Sequence, residues 1–291
     1  MAYRTDTAIV SPSASARHSA GPGLPVVADA NADRSPYLVR RLFETPERNL
    51  FGHVKFALVK RCIDALGLER PPRVLDIGCG RRAAHGYLQS FGLRLDYFGV
   101  DYEARFEPDA VIDLMGEAPL LPDLPWQPDV VLALDVLEHL HEEPAVLEEV
   151  VARLAVSLPP SAKVVITLPQ MYRLDRFKLP HLHYPEHKIR LEQREWRAIL
   201  ETAFDIERVQ GVGYLSVLPY LPMASRAYSP ENALGRLFTF LRSRVFEWGP
   251  LKPLDTFLSN TLGRLSPFRT LSNDVLFVAT PRASAPLREA D

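Results

Sequence analysis

Leu50, Val54, Leu58, Cys62 and Leu66 recur at every fourth position, which predicts one buried stripe on a helix from Glu47 that stops near Gly67. After Pro71-Pro72 the pattern changes to short apolar runs bounded by turns. They stand at Val74–Ile77, Tyr97–Val100, Val130–Leu134 and Val164–Leu168, with Ala110–Leu114 ending a further strand. Helical patterns occupy Ala145 to Leu158 and Glu192 to Ala203, followed by strands at Ile206–Val209 and Val275–Thr280. Strands alternating with helices in this way predict an α/β fold with a doubly wound parallel sheet. Residues 1–35 are rich in Ala, Ser, Pro and Asp without apolar period and are expected to be a disordered tail, as are residues 282–291. Residues 214–272 break the alternation. They hold seven Lys and Arg against three Asp and Glu, with Leu234, Leu237, Leu241 and Val245 on one helical stripe.

Composition adds exclusions. The 291-residue chain has 34 Lys and Arg against 36 Asp and Glu, so no chain-wide charge calls for nucleic acid. Cys62 and Cys79 cannot build a disulfide framework and lack CxxC spacing, which favours a reducing, cytoplasmic setting. The first twenty residues carry only a three-residue apolar stretch, so no signal peptide is expected, and no run reaches the length of a membrane span.

The candidate chemistry begins at Val74-Leu75-Asp76-Ile77-Gly78-Cys79-Gly80, a strand running into a glycine turn. Such turns bring a ligand close to the amides at a helix N-terminus. Asp101 ends the next strand 21 residues beyond Gly80, where a carboxylate can accept both ribose hydroxyls. Gly78-x-Gly80-x-x-Ala83 also satisfies the dinucleotide fingerprint, a weak match by itself. Asp76 separates the two ligands. It would repel a pyrophosphate and attract an ammonium, and S-adenosyl-L-methionine carries both an ammonium and an adenosine. Asp113 can reach the adenine amino group and Tyr102 can stack on the adenine face. Asp135, also a cofactor-binding candidate, opens Asp135-Val136-Leu137-Glu138-His139-Leu140 on the carboxyl edge of the sheet, where ligands bind.

In this order, VLDIGCG, YFGVD, VIDL, PDVVLALDVLEHL and KVVITLP resemble a class I S-adenosylmethionine-dependent methyltransferase over residues 47–213 and 275–280. The GCGRR turn and HYPEHKIRL resemble, more loosely, bacterial members linked to cell-surface polysaccharide or glycoconjugate assembly. The resemblance implies a Rossmann-like sheet of seven strands, the last antiparallel, over residues 36–213 and 273–281, with 214–272 as a helical, basic cap. It implies that Asp76, Gly78 and Gly80 hold the methionine moiety; Cys79 between them is expected to contribute its backbone amide and small volume rather than thiolate chemistry. It assigns Asp101 to the ribose, and Asp113 with Leu114 to the adenine. Where many members have a glycine two residues after the GxG, this chain has Arg82; Arg81 or Arg82 then meets the methionine carboxylate or faces the substrate.

The expected reaction is methyl transfer to a small-molecule or glycan acceptor, as O-methylation of a hydroxyl. The candidate general bases are His183 and His187, then His139, for which packing at a helix start is an equally simple use. His181, His183 and His187 on one loop without cysteine make weak zinc ligands, and no metal is expected. The acceptor is expected to be a free or sugar- or lipid-linked small molecule. The Leu/Phe stripe of 214–272 with its flanking arginines is compatible with peripheral membrane contact. Nucleic acid is not expected, because DVLEHL stands where an Asn/Asp-Pro-Pro-Tyr/Phe motif would be needed. The rival readings are a non-catalytic cofactor-binding protein and a nicotinamide-dependent oxidoreductase.

Overall fold

The computed structural model describes residues 50–116, 120–170, 186–216, 232–233, 235–237, 240 and 249–282. Helix α1 (Leu50–Asp64) leads into β1 (Arg73–Ile77), α2 (Ala83–Ser90), β2 (Asp96–Asp101) and the short β3 (Ala110–Val111). Then follow β4 (Val130–Leu134), α3 (Pro144–Val156), β5 (Lys163–Pro169), α4 (Gln193–Leu200) and β6 (Phe204–Val212). The chain closes with α5 (Leu251–Thr261), the single turn α6 (Ser266–Arg269) and β7 (Asp274–Pro281). The predicted strands all form, although β3 stops three residues before Leu114. Residues 1–49, 283–291 and most of the 217–248 stretch, including Leu234, Leu241 and Val245 of the stripe, lie outside the described residues; Leu237 is exposed, and Arg282, expected in the tail, donates its amide to Ala203 O at 2.9 Å.

The seven strands make one sheet in the order β3-β2-β1-β4-β5-β7-β6. β1 pairs in parallel with β2 and β4, and β7 runs antiparallel between β5 and β6. Strand alternation divides the core. Val74, Val130, Leu132, Val165 and Leu276 face α1 and α2, whereas Leu75, Val131, Ala133, Val164 and Phe277 face α3 and α4. Both faces are covered, which is why these strands read as continuous apolar runs rather than alternating ones.

The helices obey local rules. Pro144 starts α3, where its missing N–H costs nothing, and Leu147, Val150, Val151 and Leu154 are buried. The acids Glu142, Glu143, Glu148 and Glu149 lie exposed, as a solvated face. Glu192 and Glu195 close a capping box at the start of α4, which buries Trp196 in the core. Phe204 and Phe277 are fully buried, each contributing about 1.5–3 kcal/mol relative to exposure.

The described end of the 214–272 segment is fastened to the sheet edge. α5 packs on α1 and β6, and Gln210 Nε2 donates to Ser259 O at 2.8 Å. Buried Asp255 accepts the amides of Tyr214, Leu215 and Ser216 at 2.6–3.2 Å, anchoring the point where the segment leaves β6.

Candidate functional site

Strand order reverses at β1, which lies between β2 and β4, and the carboxyl ends of strands at such a reversal are where open α/β sheets bind ligands. The glycine turn after β1 fills that position. Gly78 has φ +70°, and a β-carbon there would lie 2.5 Å from Val136 Cγ2. Gly80 has φ +50°, with nothing within 4 Å of the place a β-carbon would take, so the outer side of the turn is open. Arg82, at the N-cap of α2, also takes left-handed backbone with φ 59°. This is where the resemblance places a glycine, which would adopt that conformation without strain.

Asp76 is buried, and Tyr97 Oη donates to its Oδ2 at 2.6 Å. Burial pushes its carboxyl up to about 7; the Tyr97 hydrogen bond opposes the shift and the neighbouring Asp101 charge adds to it. Tyr97 in turn stacks on His85 with ring centroids 4.6 Å apart. Asp101 is also buried and accepts Gly80 N at 2.8 Å and Glu103 N at 3.0 Å. Burial raises its carboxyl too, against the pull of these amides. Each carboxylate oxygen has two lone pairs, so fastening the turn leaves acceptor capacity for a ribose.

The remaining cofactor candidates are distributed around this pair. Tyr102 is 59% exposed at the end of β2, open to stack on a planar ligand. Asp113 is exposed and its Oδ1 accepts Met115 N. Leu114 points into the core, and its carbonyl accepts from Arg153 at 2.7 Å, so only its backbone edge borders this region. The Cys79 thiol is buried, and burial and the charges of Asp76 and Asp101 strongly disfavour its ionisation, as the backbone role expected of it requires. Arg82 Nη2 is engaged by Asp109 at 2.7 Å and the Glu107 carbonyl at 3.2 Å, while Arg81 is exposed.

Beyond β4 the chain forms a second constellation. Asp135 takes φ 57°, its carboxylate is paired with Lys55 of α1, and Thr167 Oγ1 donates to it at 2.7 Å. Glu138 is wholly buried. Burial, then the charges of Asp135 and Asp274, push its carboxyl well above the ordinary carboxylate range. His139 Nδ1 donates to Glu186 O at 2.8 Å, and the His139 and His187 rings meet edge to face with centroids 4.8 Å apart. His181 and His183 lie outside the described residues. Of the three candidate bases the structure therefore brings His139 and His187 together. Sequence reasoning missed Lys55, Tyr97 and Glu138, although Glu138 sits inside the motif it singled out.

A family model described as a methyltransferase domain matches residues 48–203, more than half of the chain. The chain belongs to the methyltransferase-domain family. This methyltransferase matches no curated protein. Among solved structures, the N-methyltransferase NodS of Bradyrhizobium japonicum, bound to S-adenosyl-L-homocysteine, is 12% identical with TM-score 0.49, over 85% of this chain and 97% of that one. A SAM-dependent methyltransferase of Archaeoglobus fulgidus is 20% identical with TM-score 0.44, over 77% and 94% of the two chains. The magnesium protoporphyrin IX methyltransferase ChlM of Synechocystis is 17% identical with TM-score 0.46, over 63% and 90%. These likenesses are distant, and family membership stands on the family-model match.

Proposed function

We propose that this methyltransferase carries the methyl group of S-adenosyl-L-methionine to a hydroxyl of a small-molecule or glycan acceptor. The observation that carries the cofactor is the pair of buried acids, Asp76 and Asp101, on either side of an open glycine turn. Asp76 and the amides of Gly78, Cys79 and Gly80 hold the methionine moiety. Asp101 holds the ribose, Tyr102 covers the adenine face, and Asp113 with the backbone of Leu114 meets the adenine edge. A carboxylate at Asp76 disfavours a pyrophosphate, which supports this reading over a nicotinamide cofactor. Asp135, held by Lys55 and Thr167, orders the loop that divides cofactor from acceptor.

The acceptor side is the His139–His187 pair, because Val136, three residues before His139, packs directly on Gly78. The sulfonium already activates the methyl, so alignment supplies most of the rate, about 7–11 kcal/mol for a well-held pair of reactants. Proton removal from a hydroxyl adds on the order of 10²–10⁴-fold.

The segment 214–272 serves as a cap, and its described end supports a lipid-linked acceptor at a membrane surface. Leu254, Phe257, Leu265, Phe268 and Leu271 are exposed there beside Arg264 and Arg269. Among the described residues no helix is long and apolar enough to cross a membrane.

Calorimetric titration with S-adenosylhomocysteine tests the cofactor assignment. Wild type should bind at micromolar concentration and Asp101→Ala at least tenfold more weakly, about 1.4 kcal/mol. Absence of binding by folded wild type would overturn it and favour a nicotinamide cofactor. Binding without transfer of labelled methyl to any hydroxyl-bearing fraction would favour a non-catalytic cofactor-binding role.

A further inference from the structure

Two stretches some fifty residues apart are stitched together beyond β4. Lys188 N and Ile189 N both donate to Glu138 O, at 2.8 and 3.3 Å, while His139 Nδ1 donates to Glu186 O. A carbonyl only accepts, so Nδ1 carries a proton, and Nε2 of the neutral ring holds a lone pair. That nitrogen lies 3.8 Å from Glu138 Oε1. One ligand atom each from Glu138, His139 and His187 fall within 4.8 Å of one another.

Glu138 supplies the independent sign of a ligand. It is fully buried, and neither side-chain oxygen has a hydrogen-bond partner among the described residues. A carboxylate taken out of water in this way needs a cation or a set of donors. Its own backbone amide acts on it as a donor, but the surroundings do not supply a full set. Asp135 and Asp274 add negative charge, and Lys55, the cation that acts on it, is already paired with Asp135.

We infer that Glu138, His139 and His187 bind one divalent transition-metal ion, with Zn²⁺ and Mn²⁺ as the matching chemistry, at the acceptor side of the cleft. Two imidazoles and one carboxylate suit such ions and leave coordination positions open. The Nδ1–carbonyl bond of His139 is the kind of outer contact that orients a ligating imidazole. Ligand atoms about 2.1 Å from one ion are at most about 4.2 Å apart, so small side-chain rotations close the cluster. The histidines are then ligands rather than the general bases that the sequence suggests, and the expectation of no metal is replaced.

The use of the ion rests on the methyl-transfer reading above; its binding does not. An open position would take the acceptor hydroxyl and make it more acidic. The hydroxyl proton leaves to water and the oxygen bonds to the methyl carbon. The carbon–sulfur bond breaks with its electron pair staying on sulfur.

The test is titration of the chelator-treated full-length protein with MnCl₂ and with ZnCl₂, read by calorimetry, with visible ligand-field bands recorded on CoCl₂. S-adenosylhomocysteine is titrated separately into the same preparations. One ion per chain is expected, bound at least tenfold more weakly by Glu138→Gln and by His187→Asn, with S-adenosylhomocysteine affinity within threefold of wild type. His187→Asn, at a half-buried position, carries the comparison if Glu138→Gln does not fold. Ion uptake without S-adenosylhomocysteine binding would uphold the site while removing the methyl-transfer reading. No ion uptake by folded wild type, or uptake as tight in the variants as in wild type, would overturn the inference.

Discussion

Val136 Cγ2 occupies the space that a β-carbon on Gly78 would need, 2.5 Å from its position. The glycine turn after β1 and the loop after β4 are therefore one packed unit. On the proposed reading, cofactor and acceptor meet at that contact.

The contact separates the two glycines of the turn by mutation. Gly78→Ala must both keep positive φ and displace Val136, whereas Gly80→Ala meets only the backbone preference, about 1–2 kcal/mol. Thermal melts should show Gly78→Ala as the more destabilised of the two. Titration with S-adenosylhomocysteine should show the larger loss of affinity for it as well.

Arg82 holds left-handed backbone that costs a non-glycine residue about 1–2 kcal/mol, and its guanidinium is held by Asp109 at 2.7 Å. Arg82→Gly removes the strain together with a half-exposed ion pair worth about 0–1 kcal/mol. The variant is expected to melt at or slightly above the wild-type temperature.

On the proposed reading, Asp76 is expected to make cofactor binding depend on pH. Its carboxyl titrates at about 7 in the free protein against 3.8 ordinarily, so the folded state holds this proton more tightly than the unfolded chain. Its contribution to stability is complete below about pH 4 and is lost as pH rises through about 7. The cofactor ammonium favours the ionised form, so affinity should fall as pH drops below about 7. Titrations near pH 6 in buffers of different ionisation enthalpy should show proton release on binding, abolished in Asp76→Asn.

Lys55 and Asp135 lie 80 residues apart in sequence and form an ion pair with side-chain exposures of only 8% and 17%. Lys55→Met leaves the Asp135 carboxylate without its cation and should cost about 3–5 kcal/mol in denaturant unfolding. Lys55→Met combined with Asp135→Asn should recover much of that loss, since asparagine tolerates the left-handed backbone at this position. Equal destabilisation of the single and double variants would show that the pair is not the source.

The order of strands and helices, the turn Gly78-Cys79-Gly80 and the acids Asp76 and Asp101 were legible because periodicity and turn chemistry act between neighbours along the chain. Trp196 and Leu200 are buried together for the same reason, since their spacing of four puts them on one helix face. The antiparallel last strand came only from family resemblance; no local pattern states that β7 enters between β5 and β6. Tertiary structure alone decided that Tyr97 caps Asp76, that Lys55 reaches Asp135 and that His187 comes to Glu138 and His139. Spacing gives no measure of these distances, because each depends on where the sheet sets two segments after both of its faces are covered. The sequence thus determined the glycine turn and its two acids, the proposed cofactor site, which is built from one strand, one turn and the next strand. Packing decided the Lys55–Asp135 pair and the Glu138–His139–His187 group, which are assembled from segments that meet only in the folded chain.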